Sequence, residues 1–197
     1  EANARDTLDR TKVWRLHTYC WAGRTALAVP GDFVECGVYE GFYASVLLRT
    51  LGFERVAKRM LLFDTFSGLS EKYSSAAERR VVGDAYAGQE GWYERVKQRF
   101  AAYGNVTITR GVVPDVLAGG VPEAIALLHL DMNAGAAEVG ALEVLFERVS
   151  EGGLIVMDDY GCEEMWDLHE NLRDRMAAKG HPILELPTGQ GLVIKRG

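Results

Sequence analysis

Apolar residues fall in short runs, each closed by Gly or an acid or followed directly by Gly, with longer stretches of helical periodicity between them. Asp32 to Gly37 (DFVECG), Met60 to Asp64 (MLLFD), Val106 to Arg110 (VTITR), Ile125 to Asp131 (IALLHLD) and Leu154 to Asp158 (LIVMD) are none of them longer than seven residues. Uninterrupted apolar runs of this length suit strands buried on both faces. Helical stretches are predicted at 41–52, 91–103 and 137–149. Alternation of this kind predicts right-handed βαβ units and a parallel sheet.

The end of the chain follows another pattern. After a helix expected at about 162–180, Pro182 to Leu186 (PILEL) meets Gly191 to Lys195 (GLVIK) across Pro187-Thr188-Gly189-Gln190. A Gly-containing turn of a few residues joins antiparallel partners, so a hairpin is predicted. The expected fold is therefore α/β: a Rossmann-like, seven-stranded sheet of five parallel strands plus a C-terminal hairpin. That is the sheet of the common methyltransferase fold, and ordinary dinucleotide-binding domains lack the hairpin.

Two segments stand outside the sheet pattern. Residues 1–30 contain a helical region at 4–28, with Trp14, Leu16, Tyr19 and Leu27 available for packing and an apolar surface that could support a homodimer. Residues 67–90 are polar and too long for a simple connection, which suggests a lid over a site, carrying Tyr73 and Tyr86. No repeat or second domain is visible, so 1–197 is read as one domain.

Composition narrows the partners. A net charge of -6 disfavours a nucleic-acid backbone, which needs clustered Lys and Arg. No apolar run approaches the ~20 residues that cross a bilayer. The sequence opens on Glu1 with a polar, helix-prone stretch unlike a signal peptide. Cys20, Cys36 and Cys162 form neither a zinc spacing nor a disulfide framework, and a cytoplasmic location is expected.

In a doubly wound sheet, ligands bind outside the carboxyl ends of the strands, so the residues closing each run matter most. The first run leads into Glu35-Cys36-Gly37-Val38-Tyr39-Glu40-Gly41, in which Gly37 permits a sharp turn and Gly41 close packing at a helix start. This E-x-G-x-x-x-G lacks the middle glycine of the pyrophosphate fingerprint. Asp64, followed by Thr65, closes the second run, and an acid there can accept hydrogen bonds from both hydroxyls of an adenosyl ribose. Gly111 and Val112 follow the third run, beside the expected adenine position.

The fourth run ends His129-Leu130-Asp131-Met132-Asn133 and the fifth Met157-Asp158-Asp159-Tyr160. Asp131, Asp158 and Asp159 thus gather at adjacent strand ends. Carboxylates this close repel unless a cation lies among them, and a hard cation such as Mg²⁺ accepts such donors. The alternative is that Asp131 works alone and the other two cap the next helix. His129, alone in an apolar run, reads as a packed, hydrogen-bonded core residue, with a reserve role as general base. Cys36 reads as a small buried hydrophobe.

With these residues in view, the chain resembles the macrocin O-methyltransferase family. The resemblance is carried by Gly31 to Gly41 (GDFVECGVYEG), Leu62 to Gly68 (LFDTFSG), His129 to Glu143 and Gly152 to Gly161 (GGLIVMDDYG), with Trp21 and Arg99-Phe100. It implies S-adenosylmethionine as methyl donor, with Glu35, Gly37 and Gly41 toward its methionine and Asp64 toward its ribose; Val38, Tyr39 and Thr65, with Gly111 and Val112, are further expected cofactor contacts. It also implies a divalent metal on Asp131, Asp158 and Asp159, and an acceptor hydroxyl on a sugar-containing small molecule. Asp131 or His129 would take the proton. Many members carry a second acid and a Tyr-Glu pair after Asp131, where this chain has Met132-Asn133-Ala134-Gly135. Two rival readings are a non-catalytic adenosyl-binding scaffold and a nicotinamide-dependent oxidoreductase. The missing glycine and the hairpin argue against the second.

Overall fold

The computed structural model describes residues 7–82, 90–161 and 166–197, and the side chains within them except those of 7–10 and 166–171. Seven strands form one sheet in the order β3-β2-β1-β4-β5-β7-β6. They are β1 (Asp32–Cys36), β2 (Met60–Asp64), β3 (Val106–Arg110), β4 (Ile125–Leu130), β5 (Val149–Met157), β6 (Leu184–Glu185) and β7 (Gly191–Ile194). β1 pairs in parallel with both β2 and β4, and β4 with β5, while β7 runs antiparallel to β5 and to β6. The strand order reverses between β1 and β4, which opens a crevice at their carboxyl ends.

Every residue of β4 is buried, because helices cover both faces of the sheet centre. On one face, α1 (Thr7–Ala26), α2 (Phe42–Leu51) and α4 (Trp92–Phe100) pack through Tyr19, Leu47, Leu48 and Phe100 onto Phe33, Leu62, Leu127 and Val156. On the other, α5 (Gly135–Leu145) and α6 (Trp166–Ala178) place Leu142, Leu145, Leu172 and Met176 against Val34, Leu128, Leu130 and Ile155. The faces alternate along β1, β2 and the apolar half of β5, as the two-residue pleat requires, whereas in β4 a register shift between Ile125 and Leu127 leaves Ala126 and Leu127 in the same core cluster. Cys36 is fully buried within β1.

Three expectations are corrected in detail. The helix expected to reach 149 ends at Leu145, a 3₁₀ turn follows, and β5 begins at Val149. Its first half is polar and partly exposed, so only the apolar LIVMD portion announced itself. In α1 the buried face is Tyr19, Ala22 and Ala26, whereas Trp14 and Trp21 point outward at 60% and 47% exposure. Small inward residues let α1 lie close to α2. The segment after β2 also contains a short helix, α3 (Ala76–Val82). Tyr86, Cys162 and the expected helix at residues 4–6 lie outside the described residues. No helix among the described residues is long and apolar enough to cross a membrane.

Candidate active site

A cavity of about 560 Å³ lies at the carboxyl ends of the strands. Gly37, Asp64, Gly111, Asp131 and Asp158, each at or just past the end of one of the five parallel strands, all line it. The sequence therefore placed them in one crevice for the right topological reason.

The β1–β3 side is organised by backbone. Gly37 has φ +90, and a Cβ there would sit 1.8 Å from the Asp131 carbonyl oxygen, so only glycine lets β1 and β4 close up. Gly41 has φ +76 at the start of α2, where a Cβ would meet the Phe100 ring at 2.7 Å. Between them, Val38 N–H and Tyr39 N–H donate to Asp64 Oδ2 at 2.6 and 2.9 Å, and Phe66 N–H donates to Asp64 Oδ1 at 2.6 Å. Asp64 thus ties the turn after β1 to the turn after β2. A carboxylate has about four lone-pair positions. These three donors, with a long contact from the Thr65 hydroxyl to Oδ1 at 3.4 Å, leave little spare acceptor capacity on this cavity-lining carboxylate. Thr65 continues the same wall and donates its hydroxyl to the Gly68 carbonyl at 2.6 Å. Gly111 and Val112 extend it beyond β3, with Gly111 N–H bonded to the Asp64 carbonyl at 2.9 Å.

The β4–β5 side is organised by charge. Asp131, Asp158 and Asp159 each offer an oxygen within 4.8 Å of the others. Asp158 is held on both oxygens: Arg15 reaches Oδ2 at 2.9 Å and the Gln190 amide donates to Oδ1 at 2.7 Å. Burial would raise its pKa, but His129, Arg15 and Gln190 outweigh burial and hold it below the usual carboxylate range. Asp159 lies 3.6 Å from Arg15, and its buried Oδ2 has no hydrogen-bond partner. Burial and the Asp158 charge push Asp159 up to about 6. Burial and both neighbouring aspartates likewise raise Asp131 well above the ordinary value.

Glu35 and His129 lie behind this cluster. Tyr19 donates its hydroxyl to Glu35 Oε2 at 2.5 Å, and its ring stacks on His129 at 4.1 Å between centroids. His129 is fully enclosed, with Nδ1 3.5 Å from Glu35 and Nε2 3.9 Å from Asp158. It is packed as expected, but neither ring nitrogen makes a directed hydrogen bond. Burial pulls its pKa down, yet Asp158, Glu35 and Asp131 reverse this and raise it to about 10. Among the described residues, five carboxyl groups, Glu35, Asp131, Glu138, Asp158 and Asp159, thus share the surroundings of two protein cations, Arg15 and His129.

Sequence reasoning missed Arg15 and Gln190. Both reach Asp158 from far along the chain, and neither has a local pattern that marks it. Between β2 and α4, Phe66, Leu69, Ser70 and Tyr73 form part of the cavity wall, while Lys72 and Tyr73 fasten this segment to Asp115 at 2.7 and 2.6 Å.

Comparison with known proteins accords with this geometry. The profile of the macrocin-O-methyltransferase (TylF) family matches residues 10–181. A Streptomyces olivaceus protein, 8-demethyl-8-(2,3-dimethoxy-alpha-L-rhamnosyl)-tetracenomycin-C 4'-O-methyltransferase, is 31% identical over 178 residues, covering 85% of this chain and 67% of that protein. Among solved structures, the O-methyltransferase NovP superposes with a TM-score of 0.73 at 22% identity, covering 93% of this chain and 80% of its own. The calicheamicin methyltransferase CalS11 superposes with a TM-score of 0.76 at 19% identity, covering 98% and 83%. These two likenesses bear on the fold.

Proposed function

The chain belongs to the macrocin O-methyltransferase family and is an S-adenosylmethionine-dependent O-methyltransferase; from that premise we propose that it methylates a sugar hydroxyl on a small molecule, with Asp131 as proton acceptor. The observation that carries this reading is the double engagement of Asp131. Its carbonyl abuts Gly37, on the turn read as the cofactor's methionine side, while its carboxyl faces Asp158 and Asp159. Donor and acceptor would therefore meet at one residue. The sugar comes from the rhamnosyl acceptor of the tetracenomycin relative.

In this reading Glu35, Gly37, Val38, Tyr39 and Gly41 border the methionine moiety, Asp64 and Thr65 the ribose, and Gly111 and Val112 the adenine. S-adenosylmethionine, when bound, supplies a methyl group already activated on sulfonium for in-line displacement. The protein's own work is alignment and proton removal. Asp131 would accept the proton that the acceptor hydroxyl gives up on methylation. Burial and the neighbouring aspartates raise the basicity of Asp131 above that of an ordinary carboxylate, which suits a general base. In this reading His129 is not the base, because it is enclosed behind Tyr19 and away from the acceptor. The nearby Glu35 and Asp158 carboxylates favour its charged form.

The three aspartates also fit a hard divalent cation. Their donors are all oxygen, Asp159 Oδ2 is orphaned, and the acids outnumber the cations around them. Asp131, Asp158 and Asp159 would hold the ion, which when bound would make the deprotonated hydroxyl accessible. The Arg15 and His129 charges mean that the cluster is not wholly dependent on it.

The test is incubation with methyl-labelled S-adenosylmethionine and each of methyl α-L-rhamnoside, a rhamnosylated tetracenomycin and dTDP-rhamnose, with and without excess chelator. Label on a sugar oxygen is expected, and its loss in chelator would establish the metal. S-adenosylhomocysteine binding with no transfer to any acceptor would favour a non-catalytic adenosyl-binding domain.

A further inference from the structure

Helix α5 begins without a cap of its own. Its N-cap residue is Ala134, which has no side-chain oxygen to accept the first N–H groups of the helix. The first of them, Gly135 N–H, instead donates to Glu78 Oε1 at 2.8 Å, from a residue 57 positions earlier in the chain. Glu78 belongs to α3, within the segment that forms part of the cavity wall. It is 2% exposed although α3 is otherwise largely exposed, and burial is rare for glutamate.

The same carboxylate closes a second arrangement. Ser75-Ala76-Ala77-Glu78 is a capping box: Glu78 N–H donates to Ser75 Oγ at 3.1 Å, and Ser75 N–H donates to Glu78 Oε2 at 2.6 Å. In an ordinary box the second oxygen faces water. Here it reaches across to α5, so one side chain caps two helices. The loop it fastens, Asp131 to Gly135, contains Asn133 at φ 51, a left-handed conformation that a non-glycine residue keeps only when its surroundings hold it. From the other side, Asp131 N–H donates to the Cys36 carbonyl at 2.9 Å, the Asn133 backbone bonds Asp159, and Met132 N–H makes a long contact with Glu138 at 3.4 Å.

We infer that Glu78 is a positioning residue that caps α5 in trans, so that docking of the segment 65–82 and ordering of the Asp131–Gly135 loop are one event. Undocking the segment removes the cap from α5 and frees the loop that carries Asp131. Closing the wall over the cofactor side thereby sets the acceptor side. The inference takes from the proposed function that the cofactor lies against the segment 65–82 and that Asp131 lies toward the acceptor, and its test does not depend on turnover.

Amide hydrogen exchange on the full chain, read by mass spectrometry, tests it with two variants. Glu78→Ala removes both caps. Glu78→Asp keeps the charge and can still accept from Ser75, but is one methylene too short for Gly135. Residues 131–142 should exchange about tenfold faster in both variants, the scale expected when a local opening is eased by loss of one charged cap. Residues 76–82 should be perturbed much less in Glu78→Asp than in Glu78→Ala. Adding S-adenosylhomocysteine to the unmutated chain should slow exchange in 65–82 and 131–142 together, and in Glu78→Asp only in 65–82. Unchanged exchange at 131–142 in both variants, or an unmutated pattern there in Glu78→Asp, would overturn the inference. So would equal protection of both segments by S-adenosylhomocysteine in Glu78→Asp. The ligand-free arms hold whether or not the cofactor product binds, so failure of the cofactor reading is seen separately.

Discussion

On the β1–β3 side of the cavity, one carboxylate gathers three backbone N–H groups and two glycines allow the turns to approach. On the β4–β5 side, three aspartates crowd together and are steadied by Arg15 from α1, His129 from β4 and Gln190 from the terminal hairpin. The first side is a backbone template whose polar groups are satisfied locally. The second is an electrostatic compromise, retaining an orphaned oxygen on Asp159 and a surplus of acid. A site that binds one ligand in a fixed pose can be fully satisfied when empty. A site that must take a proton, or a cation, keeps unsatisfied capacity.

The largest expected effect comes where the two sides touch. Gly37→Ala would drive a methyl group into the Asp131 carbonyl at a left-handed φ. Loss of at least about 3 kcal/mol is expected from overpacking and backbone strain together, with loss of S-adenosylhomocysteine binding. Urea unfolding and calorimetry check this. Unmutated stability with intact binding would mean that the two sides do not abut as described.

Next in size, Asp64→Ala should weaken S-adenosylhomocysteine binding by about 1.5–3 kcal/mol, the scale of hydrogen bonds to a charged acceptor. Asp158→Asn should leave that affinity nearly unchanged. Titration calorimetry on both variants sharpens the division, and equal losses would erase it.

The smallest effect has the opposite sign. Asp159 has a folded pKa of about 6 against an ordinary 3.8, so between those values the folded state binds the extra proton. Its contribution therefore falls as pH rises through that window, and the penalty is complete above it. Asp159→Asn should accordingly stabilise the fold at pH 8 by on the order of 1–3 kcal/mol, with the gain vanishing near pH 4, while methyl transfer declines. Thermal unfolding across pH is the measurement. A destabilised variant at pH 8 would show that Asp159 is not held against its charge.

This division also governs what the sequence made legible. β4 and the apolar half of β5 were readable because burial on both faces leaves an unbroken apolar run. Asp64, Asp131, Asp158 and Asp159 were readable because they close such runs, and fold topology brings run ends together. Arg15 and Gln190 were not, because their meaning lies in a partner more than thirty residues away, 143 and 32 positions respectively. The outward Trp14 misled for a related reason: a helix packed closely against another puts alanines inside, so size is a poor guide to burial there. Ser75-x-x-Glu78 did carry a local signal for the start of α3, but nothing local announces that Glu78 also serves α5.

The clamp on Asp158 has a consequence for how the protein is made. Gln190 hydrogen-bonds both to Asp158 and to the backbone of Arg15, 175 positions apart in sequence. Synthesis runs from one partner to the other, and the contact that closes the clamp cannot form until Gln190 has been made. A nascent chain that has completed β1 to β5 already exposes its acids without the amide that steadies them. The acidic centre is therefore complete only once β7 lies beside β5 and brings Gln190 to Asp158.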